Sequence, residues 1–134
     1  MASAKPSLLR FVTEDRHEPF GHRSGIVQKA YNVRDDAETA EHLQKALSTE
    51  LEWLKLNMCT PSKFTRSAGH RKDEVAISWV KSEAREHVDC LRRIENLLKS
   101  TRVPTHCLRT SRPGFVVYED DVQVVAEPSA DTPK

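Results

Sequence analysis

Residues 61–72 (PSKFTRSAGHRK) carry Lys63, Arg66, His70, Arg71 and Lys72, with Phe64 among them and no acid. Clustered Lys and Arg neutralise phosphate backbones, and an aromatic ring can stack on an unpaired base. Arg109 and Arg112 stand where a strand runs into a turn and can extend the same surface. Lys63, Arg66, Arg71, Lys72, Arg109 and Arg112 are therefore the candidate nucleic-acid or phosphate-binding residues. The bland account is an ordinary solvated loop, and a whole-chain pI near 7.8 falls short of a dedicated nucleic-acid binder.

Two further groupings could carry chemistry. His87 and Cys90 lie one helical turn apart, and imidazole with thiolate is a zinc-binding set. His106 and Cys107, however, alternate across a strand and cannot easily join one site, and Cys90 sits beside an apolar stripe, where a thiol serves as packing. Glu86 and His87 with Glu119, Asp120 and Asp121 could hold Mg²⁺ and move protons, as in a metal-dependent hydrolase. Asp120-Asp121 is equally good turn chemistry, and Glu86, Asp89, Arg85, Arg92 and Arg93 read as helix-surface ion pairs. No nucleophile elbow, P-loop or HExxH motif is present. No catalytic residue, metal ligand or cofactor is assigned.

The elements that must position these groups are legible in the hydrophobic pattern. Ala40, Leu43, Leu47, Leu51, Leu54 and Met58 recur at steps of three and four, one face of a long helix. Asp35 and Glu38 resemble a capping box at its start, and Thr60-Pro61 ends it. Ile77, Val80, Ala84, Val88, Leu91, Ile94 and Leu98 form a second stripe, which predicts a helix from about 78 to 100, although 74–80 is β-prone enough for a short strand. Ser24 can cap a shorter helix carrying Ile26, Val27, Ala30 and Tyr31. Residues 8–12 (LLRFV) read as a strand, as do 103–109, 115–119 and 122–127, with a type II turn at Arg112-Pro113-Gly114-Phe115. The last two strands make a hairpin, with Phe115 and Val117 beside Val124 and Ala126 on one face. Trp53 and Trp79 lean toward the surface. The expected fold is α+β: two long amphipathic helices and a short one packed on a small antiparallel sheet made of the N-terminal strand and a C-terminal hairpin.

Length and charge bound the rest. The 134 residues suit a single domain, 1–134, with 1–6 and 128–134 as frayed termini. Residues 1–60 hold 8 Lys/Arg against 9 Asp/Glu, residues 61–112 hold 12 against 6, and residues 113–134 hold 1 against 5. A basic centre and an acidic tail can steer a charged partner or satisfy each other internally. No apolar run approaches the roughly 18–20 residues needed to cross a bilayer, and the start of the chain lacks the apolar core of a secretion signal. Three cysteines, Cys59, Cys90 and Cys107, at unrelated spacings argue for free thiols in the cytoplasm.

The segments AISWVKSEAREH (76–87) and RTSRPGFVVYEDDVQVVAEP (109–128) resemble matching stretches in a group of short, uncharacterised bacterial proteins. Members of that group end in an RPG turn followed by a VVYED hairpin. The resemblance implies a bacterial cytoplasmic protein of similar fold and supplies no catalytic residues. The resulting expectation is a small non-enzymatic binding protein that docks on another protein or on itself, with no membrane partner. Nucleic-acid or phosphate-backbone binding through the 61–72 loop is the alternative, and metal-dependent hydrolysis the second.

Overall fold

Among the described residues, apolar side chains spaced at three and four draw three segments into helices, and short runs, most of them holding β-branched residues, supply six strands. In chain order, the computed structural model has β1 (Leu8–Arg16), β2 (Arg23–Gly25), α1 (Ile26–Asp35), α2 (Glu41–Asn57), β3 (Ile77–Lys81), α3 (Arg85–Ser100), β4 (Thr105–Thr110), β5 (Phe115–Glu119) and β6 (Gln123–Glu127). The structure describes residues 7–16, 23–58 and 76–133. The class is α+β, with three helices on an antiparallel sheet among the described residues. No helix among the described residues is long and apolar enough to cross a membrane.

The helices start and stop differently from their sequence signals. Asp35 is the last residue of α1 rather than the start of α2, and the Asp36 carboxylate accepts the Glu38 N–H at 2.9 Å. α2 begins at Glu41 without a side-chain cap on Ala40, and α1 without one on Gly25. Gln44 compensates by donating to Arg34 O and Asp36 O, both at 3.0 Å, which staples the first turn of α2 to the open carbonyls ending α1. The ISWVK run is strand β3, and α3 starts at Arg85 instead of near 78. Its end is a Schellman motif: Val103 N–H reaches Leu98 O at 3.1 Å, Arg102 N–H reaches Lys99 O at 2.9 Å, and Arg102 sits at φ 65°. A side chain is strained in that left-handed region, so Arg102→Gly is expected to stabilise the fold by about 0.5–1 kcal/mol in urea unfolding. An unchanged midpoint would show that the arginine costs nothing there.

Sheet order is β2-β1-β3-β6-β5, with β4 pairing β1 as well. β4 runs antiparallel along β1 from Leu8↔Thr110 to Thr13↔Thr105 without a register break. It is therefore not part of a three-stranded C-terminal unit. The other flank of β1 is shared: β3 pairs at Leu8↔Lys81 and Leu9↔Val80, and β2 pairs at Val12↔Gly25 and Arg16↔Arg23. Between them, at Arg10 and Phe11, the sheet forks.

On one face Leu9, Phe11 and Val80 meet Ile26, Ala30, Leu47, Leu51, Leu54, Leu91, Ile94 and Leu98 from the three helices. On the other, Leu8, Ile77, Trp79, Val124 and Ala126 form a second cluster. Trp79 is fully buried there, not surface-leaning, because the sheet curls toward that face. Thr110 lies opposite Leu8, Leu8 opposite Lys81, and Lys81 N–H reaches Val122 O at 2.7 Å, whereas Phe115 lies opposite Glu127. In a flat sheet those two ends of the β4–β5 connection would be roughly 25 Å apart. Residues 111–114 can span only about 18 Å. Ser111 and Pro113 in fact share a groove with Leu8, Lys81, Val116 and Val124, so the connection crosses the face that the curl encloses.

The hairpin register also differs from its sequence reading. A bulge between Val116 and Tyr118 leaves Val117 out of step and sets Val116 opposite Ala126 and Tyr118 opposite Val125. Asp120 ties the turn. Its carboxylate accepts Val122 N–H at 2.8 Å, Gln123 N–H at 2.9 Å and Tyr118 O–H at 2.8 Å. Partial burial would raise its pKa, but these bonds together outweigh it and hold the carboxyl below its ordinary value. Asp120→Ala is expected to cost about 1–3 kcal/mol at pH 7. Because the folded pKa is depressed, that contribution is complete above the unfolded pKa of about 3.9 and is lost as pH falls through the lower folded value. Urea titrations from pH 7 to pH 2 check this through a gap between variant and parent that closes below about pH 4. Beyond β6, Thr132 is buried and donates to Arg112 O at 3.3 Å, which ties down the chain as far as that residue.

Candidate functional site

β4 brings one of the candidate cations, Arg109, to a strand edge. Among the described residues it pairs only with β1, so its outer side presents backbone N–H and C=O groups. His106, Cys107 and Arg109 are exposed along it. The opposite edge, β5, is broken by its bulge, whereas the β4 ladder is regular over its whole length.

Arg109 lies opposite Leu9 and Cys107 opposite Phe11, so both side chains project to the helix side. There α3 supplies Arg92, whose guanidinium carbon stands 5.4 Å from the centre of the Phe11 ring, a cation–π contact. Partial burial pushes the Cys107 thiol up and Glu95 adds to this, while Arg92 and Arg109 pull it down, which places both cations in the field of one exposed sulfur. Arg112 is exposed in the β4–β5 connection, 3.9 Å from Asp131. His106 Nε2 stands 3.5 Å from Glu14 Oε1. Glu95, almost buried, accepts Thr105 Oγ1–H at 3.1 Å. The edge is thus cationic but interspersed with acids. Lys63, Arg66, Arg71 and Lys72, with Phe64 and His70, lie outside the described residues.

The other groupings are engaged structurally. Cys90 is buried and donates to Glu50 O at 3.4 Å; burial, then Glu50, drive its pKa up to about 12. His87 Nε2 bonds Asn57 O at 2.7 Å, with its ring edge-on to Trp53 at 4.9 Å. Glu119 pairs with Lys81 at 2.7 Å, joining the acidic tail to the basic centre. Among the described residues no three His, Cys, Asp or Glu side chains gather to hold a metal ion. Arg93 pairs with Glu50 of α2 at 3.0 Å rather than within its own helix. A native-state alkylation at pH 8, mapped by mass spectrometry, is expected to label Cys107 and spare Cys90 until denaturant is added.

Two residues of interest escaped the sequence reading. Arg92 looked like one of several helix-surface charges, and nothing in the chain announces its contact with Phe11. Arg10 sat visibly inside LLRFV, yet its burial, to 8% exposure, depends on the curl of the sheet. No family model, no curated protein and no solved structure matches this chain.

Proposed function

We propose that this chain is a small bacterial, cytoplasmic, non-enzymatic binding protein that docks on another protein by accepting an extended acidic segment against the outer edge of β4. The observation that carries this reading is the regular β4 strand, whose outer edge pairs with no strand among the described residues, flanked by Arg92, His106 and Arg109. Strand addition takes its affinity from main-chain hydrogen bonds and its selectivity from alternate side chains, here basic ones that favour Asp or Glu. A second copy suits the edge less, because self-pairing would set the same cations near each other. Nucleic acid suits it less too, since Glu14, Glu95 and Asp131 interrupt any cationic track a phosphate backbone could follow.

The test is a labelled peptide alternating Val or Thr with Glu, titrated by fluorescence anisotropy, with amide hydrogen exchange read over residues 105–110. Saturable binding, slowed exchange in β4 and at least tenfold weakening in Arg92→Ala/Arg109→Ala support the proposal. Three results would each sink it: protection confined to other strands, tighter binding of a single-stranded oligonucleotide, or unchanged affinity in the double variant.

A further inference from the structure

The fork in the sheet holds an unanswered pair of donors. In an antiparallel ladder each residue directs its N–H and C=O to the same side, and successive residues alternate. Ser82 N–H reaches Ser7 O at 2.9 Å, and Lys81 N–H reaches Val122 O at 2.7 Å. Together with the pairing of Leu9 and Val80, this turns Ser7, Leu9 and Phe11 toward β3, and Ser78, Val80 and Ser82 toward β1. The ladder stops at Leu9↔Val80. The next rung would join Phe11 to Ser78, but β1 and β3 have separated there and β2 takes over at Val12.

Extending the same register places Arg10 across the fork from Trp79, on the face that the curl encloses. Both are buried, at 8% and 0% exposure. Arg10 Nη2 donates to Arg23 O. Arg10 Nη1 and Trp79 Nε1 are the two buried side-chain polar atoms among the described residues that have no hydrogen-bond partner. Each is a donor that cannot accept. A buried donor without an acceptor is costly, and a guanidinium without a counter-charge more so. Two such groups on facing strands of the fork can be answered by one two-oxygen acceptor.

The fork opens on a cavity of about 320 Å³, lined by Arg10, Ile77 and Ser78 at the fork and by Ile26, Leu54 and Met58 on the helix side; Trp79 does not itself line it but stands in β3 between Ser78 and Val80, which do. That volume is at the small end of ligand pockets. We propose that the fork binds the carboxylate of a small apolar acid, with Arg10 and Trp79 donating to its oxygens and its hydrocarbon body filling the cavity. A carboxylate fits better than a phosphate because Arg10 is the one cationic side chain among the described lining residues and a monoanion balances it. Burial draws the Arg10 pKa down to about 10, which leaves it charged at pH 7. This site stands apart from the β4 edge, and neither proposal depends on the other.

The chain has two tryptophans, so Trp53→Phe makes Trp79 the sole indole reporter. Decanoate titrated into that variant is expected to give a saturable change in Trp79 emission with one site per chain, confirmed by calorimetry on the unsubstituted protein. Arg10→Met, which keeps an unbranched apolar stem without the charge, should weaken binding at least tenfold, and decanol should bind at least tenfold more weakly than decanoate. Absence of a saturable change overturns the proposal, as does an Arg10→Met or decanol affinity within threefold of the reference. Tighter binding of decyl phosphate overturns the carboxylate assignment. If Arg10→Met does not fold, Trp79→Phe read by calorimetry decides: at least fivefold weaker binding supports the site, and an unchanged constant removes it.

Discussion

Gly114→Ala is expected to destabilise the protein by about 3–5 kcal/mol and to lower its thermal midpoint by roughly 10–20 °C. Gly114 has φ 107°, a conformation that side chains rarely adopt, which alone costs about 1–3 kcal/mol. A Cβ there would also stand 2.0 Å from Glu127 O, 2.9 Å from Glu127 C and 3.0 Å from Pro128 Cα. All three are backbone atoms at the end of β6, so no side chain can swing aside to make room. The chain must instead pull Phe115 away from Glu127 and loosen the connection that closes the curled face. Differential scanning calorimetry checks this, and a midpoint within about 3 °C of the parent would contradict the close approach.

Leu98→Ala should cost about 3–4 kcal/mol in urea unfolding. Leu98 is fully buried where α3 meets the sheet and the other helices, and its carbonyl receives the N–H groups of both Thr101 and Val103 that end the helix. Truncation removes three carbons from a position that its neighbours cannot collapse to fill without shifting the helix end. Leu56→Ala is the matched control. That side chain is 84% exposed, and its loss should change stability by no more than about 0.5 kcal/mol. Equal costs at the two positions would mean that α3 does not carry the core described above.

Leu47, Leu51 and Leu54 in α2, and Leu91, Ile94 and Leu98 in α3, were legible from spacing alone, because burial on one side of a 3.6-residue period leaves a stripe that needs no knowledge of the partner. The glycine requirement at 114 was legible for a similar reason, since a proline followed by glycine specifies the backbone locally. What failed depended on distant chain. ISWVK joins the apolar stripe of α3 in period, and only its place between β1 and β6 makes it a strand. The hairpin faces shifted because one bulged residue, Val117, reverses every side chain beyond it. The candidate site was half visible: Arg109 lies on the open edge, but Arg92 reached it through a helix-to-sheet contact that no local pattern encodes. The burial of Arg10 and Trp79 followed from curvature, a property of the whole sheet.

The pairing of β1 with β4 also fixes a timetable for synthesis. β1 leaves the ribosome long before β4, the strand that lines it from Leu8 to Thr13, which is translated about 100 residues later. At about 5–20 residues per second, that is a wait of roughly 5–20 s. During this interval the nascent Leu8, Leu9, Phe11 and Val12 have, among the described strands, the short β2 alone as a neighbour in the sheet until β3 emerges. A stalled or truncated chain that ends before Thr105 would leave one side of β1 bare, a template for aggregation between unfinished copies.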